Sequence, residues 1–300
     1  MFGIIDNNDK SQVFLTKNGD WQIWQKPRNA KMVSIFCLGS GSGGGSGANA
    51  SASTARRGGG GGGSGAFSHG TFAASQLPDT LYVLVAQGGI GGAPLSSLNN
   101  GGAGALSYVC VKPDTTAINV LLQSGAVAAT AGLAGGNGGT GGTGSTAWTG
   151  NILNNLGLAT AQAGTNGGSG VISSTAASIT PANIVCGGPS GGNTSTAAAF
   201  AGGNVTGSGF LNTIEGGASG TSAAGGNGSD GYSPNIFSLQ KGMPIMFTAG
   251  SGGGASVSGA GGHGGAGGFG CGGAGGGAGF TNLVGAGGKG GDGLIIITCW

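Results

Sequence analysis

Between Ala260 and Phe269 the chain reads AGGHGGAGGF, which leaves a side chain at every third position and bare backbone in between. After a slip in phase, Cys271 and Ala274 continue the spacing, with Phe280 six residues on. Asn137, Thr140 and Thr143 repeat it, and so do Ala286, Lys289 and Asp292. An interval of three is the period of an extended left-handed helix rising about 3.1 Å per residue. One edge of such a helix carries side chains and the other two are backbone alone. Bare edges let neighbouring backbones approach until N–H and C=O groups pair between them, so glycine is needed here for close approach. Glycine also loses more conformational entropy on ordering than any other residue. A single tract would not hold, but a bundle of several, capped by strands, would. Collagen requires one glycine in three with abundant proline. These tracts have two in three, and the whole chain has eight prolines.

Short apolar runs separate the tracts. MVSIFCL at 32–38 reads as a strand with Val33, Ile35 and Cys37 on one face; further runs lie at 81–86, 106–111, 117–122, within 234–250, and at 293–300. Aliphatic and aromatic runs of this length bounded by Gly, Pro, Asn and Ser are strand signals. No window has a helical period, and glycine costs a helix about 1 kcal/mol relative to alanine. The expected fold is all-β: short strands bracketing long glycine-rich segments, partly polyglycine II-like helices, with almost no α-helix.

With 78 glycines in 300 residues, 38% hydrophobic residues and only 6% charged ones, the chain departs from the charge-rich composition of disordered proteins. Its exposed backbone must be satisfied internally. A net charge of +2 is too small to steer nucleic acid. Eight of the eighteen charges fall in residues 1–31, which sets off residues 1–30 as an expected attachment segment and 31–300 as a glycine-rich body. The start MFGIIDNNDK lacks the basic and apolar regions of a secretory signal. No apolar run is long enough to span a bilayer as a helix, so no membrane insertion is expected. Cys37, Cys110, Cys186, Cys271 and Cys299 show no metal-ligand spacing, and three of them lie in apolar runs, so they read as buried thiols.

The catalytic motifs read as structural. G-x-G-x-x-G, as at 39–44, recurs by composition in so glycine-rich a chain and follows no strand–turn–helix pattern. Nucleophilic catalysis needs a base held beside Ser or Cys. The two histidines read otherwise: His263 occupies an every-third tract position and His69, in AFSHGTF, reads as a turn residue beside Phe67 and Phe72. Glu215 is the single glutamate, so paired carboxylates are scarce. Arg56-Arg57 before six glycines occurs once, without the repetition that RNA-binding segments use. LPDT at 77–80 reads as a turn into the next strand. The expectation is no enzyme, no cofactor, no metal and no nucleic acid.

Aromatic residues carry more information. Trp148, Phe200, Phe210 and Tyr232 stand alone among small polar residues, the composition of loops that hold sugars or proteins. Packing between tracts or subunits is the competing role. They are the receptor-contact candidates. Trp21, Trp24, Pro27 and Trp300 stand at the chain's two ends and are the assembly candidates.

The opening NGDWQIWQKPRNAKMVSIFCLGSGSGGGSG and the closing GGKGGDGLIIITCW resemble the glycine-rich domain of bacteriophage tail-fibre and virion proteins. The matching positions are Trp21, Trp24, Pro27, 33–38 and 291–297, and the resemblance covers residues 20–300. The tracts are more loosely similar to the polyglycine-helix bundles of phage tail-tip adhesins, whose inter-helix loops touch the host receptor. The resemblance implies a virion protein, a tail fibre or adhesin component mediating host attachment. Its implied partners are its own copies (a homo-oligomer, with a trimer as the usual solution for fibres), other virion proteins through residues 1–30, and a host surface glycan or protein. A purely structural capsid, fibre or filament subunit is the alternative. An ice-binding bundle and a metal-assisted enzyme relying on His263 are weaker readings.

Overall fold

The computed structural model describes residues 10–50, 55–94, 98–135, 142–143, 159–170, 176, 178–181, 184–207, 212–220, 224–233, 246–281 and 283–300. Its strands are β1 (Lys10–Phe14), β2 (Gln22–Gln25), β3 (Met32–Leu38), β4 (Asn49–Ala50), β5 (Phe67–Ala73), β6 (Thr80–Leu84), β7 (Tyr108–Cys110), β8 (Val120–Gln123), β9 (Ala159–Gln162), β10 (Gly279–Phe280) and β11 (Leu294–Cys299). The fold is all-β. One 3-10 turn, Ala74–Gln76, is the only helical element among the described residues.

Two antiparallel sheets form a sandwich, one ordered β1-β11-β3-β5-β9 and the other β2-β6-β7-β8; β4 and β10 form a separate short parallel pair. The alternation read from MVSIFCL positions β3: Val33, Ile35 and Cys37 point inward with Ile295, Ile297 and Cys299 of β11. They meet Trp24, Leu81, Val83, Val109 and Leu122 from the facing sheet. The five-stranded sheet is covered on its other face too. There Leu38, Leu294 and Ile296 pack against Val185, Cys186, Val205, Phe247, Ala249 and Cys271. Burial on both faces explains why β11 is continuously apolar at 294–297 instead of alternating.

Strands expected at 32–38, 81–86, 106–111, 117–122 and 293–300 fall on β3, β6, β7, β8 and β11. Residues 234–245 of the run within 234–250 lie outside the described residues, and 246–250 belongs to a glycine tract instead of a strand. His69 is a correction. It sits in mid-strand on β5, paired with Phe36 and Thr160. Gly70 had obscured an alternation in which Ser68, Gly70 and Phe72 face inward. Within residues 10–30, β1 pairs with β11 and β2 with β6. An Asn18-Gly19 turn with φ of 51° and 81° joins β1 to β2, the left-handed pair that a tight reversal requires. The two strands are edge strands of different sheets. The higher charge of this segment belongs to exposed edges, where charge discourages further pairing.

The glycine tracts grow directly out of the five-stranded sheet. The β3–β11 pair ends at Leu38 opposite Leu294. In unbroken register, the N–H groups of Gly41, Gly44 and Gly47 then donate to the carbonyls of Gly291, Gly288 and Gly285 at 2.9–3.0 Å. The β3–β5 pair ends at Leu38 opposite Phe67 and continues as Gly39–Ala66, Ser42–Gly63, Gly45–Gly60 and Ala48–Arg57. The β5–β9 pair does the same through Ser64–Thr165 and Gly61–Gly168. Only the interval changes, from two residues to three. Large side chains on both faces confine a strand's hydrogen bonds to one plane. Once the side chains end, the backbone pairs in every direction.

Segment 39–48 shows the result. Its ten successive N–H groups donate in rotation to three neighbours, 57–66, 99–105 and 285–291. Its carbonyls accept from three others, 89–92, 132–135 and 273–279. Six backbones therefore surround one, and glycine makes this possible by lacking a Cβ. A Cβ on Gly41, Gly44 or Gly47 would stand 1.9, 2.1 or 2.0 Å from a neighbouring carbonyl oxygen. Positive φ is not the reason, since Gly19 and Gly270 are the only described glycines that have it.

All five cysteines are free and buried. Burial pushes the thiols of Cys37 and Cys271 well above their ordinary range, and burial with the nearby Asp114 charge pushes Cys110 up to about 12 from 9.0. The unfolded chain therefore releases these protons first as pH rises. Stability is intact below pH 9 and falls from there towards about 12. Urea midpoints measured from pH 8 to 11 are expected to fall, with a shallower slope for Cys110→Ala. Equal slopes for the two proteins would refute the assignment.

Candidate functional site

Three outer segments, 224–233, 260–269 and 283–292, lie side by side in parallel. The N–H groups of Gly225, Gly228 and Gly231 donate to the carbonyls of Ala260, His263 and Ala266. Those of Gly261, Gly264, Gly267 and Gly270 donate in the same way to Leu283, Ala286, Lys289 and Asp292. The glycines face inward and the every-third residues face outward. The surface therefore carries three parallel rows: Asn227, Asp230 and Ser233; Ala260, His263, Ala266 and Phe269; Leu283, Ala286, Lys289 and Asp292. Along each row a side chain recurs at every third residue.

Polar residues in these rows complete the outer hydrogen bonding. A segment at the surface has N–H groups with no further backbone beyond them. Asn227 Oδ1 accepts the His263 N–H and Asp230 Oδ1 the Ala266 N–H, each at 2.8 Å, while Ser233 Oγ accepts the Phe269 N–H at 3.0 Å. His263 Nδ1 accepts the Ala286 N–H at 2.8 Å, which leaves Nε2 as the protonated nitrogen of the neutral ring. Lys289 pairs with Asp292 at 2.9 Å, and Asp292 Oδ1 also accepts the Gly88 N–H. Side chains at these positions are thereby held in place while their remaining polar atoms face solvent.

Tyr232 stands beside the first row, 50% exposed. Its backbone is clamped to Thr248 by N–H to Oγ1 at 2.7 Å and by the Thr248 N–H to the Tyr232 carbonyl at 3.1 Å. Phe269 closes the second row and packs edge-on against buried Phe247 at 5.8 Å. Phe200 is half-buried and lies elsewhere, on a segment paired with Asn193 and Ala255. Trp148 and Phe210 lie outside the described residues. Of the four receptor-contact candidates, Tyr232 lies on the first of these three segments, out of phase with its outward row.

The assembly candidates divide. Trp24 is 2% exposed in the sandwich core, Trp21 is half-buried, and Trp300 remains 43% exposed at the end of β11. Pro27 lines a surface depression of about 370 Å³ with Arg28, Asn29 and Ser75. Lys26 borders it, with its ammonium on the carbonyls of Ala74 and Leu77 and on Asp79. Large apolar side chains are exposed elsewhere. Ile90, Val127 and Leu133 are 72, 59 and 42% exposed, and the segment 101–102 is hydrogen-bonded between Ile90 and Gly132.

Arg56 is 2% exposed. Its guanidinium bonds Thr194 Oγ1 and the carbonyls of Gly279 and Val257, so it ties tract ends together and does not form an exposed RNA contact. Cys271 is buried while His263 is exposed. Among the described residues no group of three or more His, Cys, Asp and Glu is arranged to hold a metal.

Sequence reasoning had the phase of the second and third rows but missed the first, although GGNGSDGYS carries the same spacing at 227, 230 and 233. It had no means of bringing the three together. No curated protein matches the chain. The family model described as a glycine-rich domain matches residues 16–300, a span that takes in every strand but β1 and every tract described above. The chain therefore belongs to the glycine-rich domain family.

Proposed function

We propose that this chain is a bacteriophage virion protein, a tail-fibre or adhesin component that attaches to the host surface, and that it performs no catalysis. The observation that supports this reading is the three-row face. A body whose backbone groups satisfy one another presents Asn227, Asp230, His263 and Lys289 at repeating positions, with exposed Tyr232 next to Ser233 of the first row. Such a surface suits a partner that also repeats, such as a host glycan or a surface protein array. Weak contacts made many times then add up through effective concentration. Self-association into a homo-oligomer, a trimer for a fibre, would use the exposed apolar side chains of Ile90, Val127, Leu133 and Trp300. The charged N-terminal region, including the Pro27 depression, is the face assigned to other virion proteins.

The test is binding of the purified chain to intact candidate host cells, with its oligomer size fixed by light scattering. Saturable binding that competes with virus adsorption and weakens on Tyr232→Ala is the expected result. A stable oligomer that binds no host cell would overturn attachment and leave the chain a purely structural subunit.

A further inference from the structure

Cys186 and Cys271 meet where the sheet ends and the glycine bundle begins. The Cys186 N–H donates to Cys271 Sγ at 3.4 Å. The Gly272 N–H donates to the Cys186 carbonyl at 3.0 Å, so the two cysteines sit on adjacent backbones. These contacts bring the Cys271 sulfur beside the Cys186 backbone, and a disulfide spans Cα separations of about 4.4–6.8 Å. Both side chains are fully buried with Phe247, Ala249 and Leu294 around them. By contrast, Cys37 gives its S–H to the Ser107 carbonyl at 3.4 Å.

We propose that Cys186 and Cys271 are a modification site: in the folded chain they close a disulfide on exposure to a peroxide. This inference stands apart from the attachment reading, because it rests on the interior and needs no receptor.

The two sulfurs are unequal. The Cys271 thiol beside it, and the Ala249 N–H that donates to Cys186 Sγ at 3.1 Å, hold the Cys186 pKa below the ordinary thiol value. Burial and the neighbouring Cys186 thiol hold Cys271 up. Cys186 is therefore the first to react. Its thiolate attacks a peroxide oxygen, the O–O bond breaks, and Cys186 sulfenic acid and one water result. The Cys271 sulfur then attacks the sulfenic sulfur. The S–S bond forms, the S–O bond breaks, and the leaving hydroxide takes the Cys271 proton as a second water. Two thiols and one hydrogen peroxide give one disulfide and two waters. Because both sulfurs are buried, the peroxide enters only when this region opens locally. The bridge forms after folding, since folding brings the partners together across 85 residues of chain. A chain folded in a reducing cell would then be locked on release into an oxidising medium.

The test uses the full chain, reduced and then treated with hydrogen peroxide. The remaining thiols are alkylated in denaturant and the protein is mapped by chymotryptic digestion and mass spectrometry. A Cys186–Cys271 linked peptide is expected, with Cys37, Cys110 and Cys299 alkylated. The bridged protein's unfolding constant is expected to fall roughly a thousandfold, as for a closed loop of this length, and a dithiol reductant should reverse the change. Cys271→Ala should abolish both effects. Because a core substitution can itself weaken the fold, Cys110→Ala serves as the matched control and should retain them. Linkage to any other cysteine, or both thiols still alkylatable once amide exchange shows the region opening, would overturn the proposal. So would a bridge that leaves the unfolding constant unchanged.

Discussion

Gly44→Ala is expected to abolish folding or leave the chain with little of its stability. The new methyl carbon would stand 2.1 Å from the Ala274 carbonyl oxygen and 2.5 Å from its carbon. Both atoms belong to backbone that is itself hydrogen-bonded, so no side chain can swing away. Relief requires the two segments to separate by about 1 Å or more, given that ordinary carbon contacts begin near 3.5 Å. That movement would break the Gly273–Ser42 and Gly276–Gly45 bonds that flank the site. Each buried backbone group left unpaired costs about 1–3 kcal/mol, and overpacking adds about 1–3 kcal/mol more. The opposing effect, alanine's lower entropy in the unfolded chain, is worth about 0.4–1 kcal/mol. The net loss is on the order of 5 kcal/mol, comparable with the whole stability of many domains. Soluble yield and thermal melting would measure it, with Ala286→Ser on the outer row as a control that should stay within about 0.5 kcal/mol of the parent. A Gly44→Ala protein melting like the parent would show that the segments do not pack backbone to backbone.

Phe247→Ala is expected to cost about 3–5 kcal/mol, the range for emptying a large buried aromatic site. Phe247 is fully buried. Its N–H donates to the Ile184 carbonyl at 2.8 Å, and its ring meets Phe269 edge-on. It belongs to the cluster that joins the outer face of the five-stranded sheet to the later tracts. Its loss should loosen the bundle before the sandwich. Amide exchange should speed up first at 186–193, 246–254 and 262–277, and later at β3 and β11. Exchange rising first in β3 and β11 would mean that the sheet does not need this cover.

Parts of this fold were legible because they depend on neighbours along the chain. The alternation in MVSIFCL predicted which β3 residues face the core, and the isolated run LIIIT predicted β11. The two-in-three glycine content of 260–269 predicted bare edges. Other parts were hidden for physical reasons. Gly70 interrupts the apolar pattern of β5, and β9 is the weakly patterned ATAQ, a strand only because Phe67 to Gly70 lie beside it. β1 and β2 were masked by the charge and polarity of sheet edges. On the candidate face, His263, Lys289 and Asp292 were legible as every-third positions, but their use as caps and ion pairs was not.

Composition and local period by themselves determined an all-β chain with segments able to touch backbone to backbone, because both follow from which residues carry a Cβ. Tertiary structure alone decided which segments touch. A glycine tract offers the same hydrogen-bonding edges at every step and carries almost nothing to distinguish one register from the next. Register comes from outside the tracts, from the pairing of Leu38 with Leu294 and with Phe67. Those side chains fit only one way, and the bare backbone continues the alignment they set.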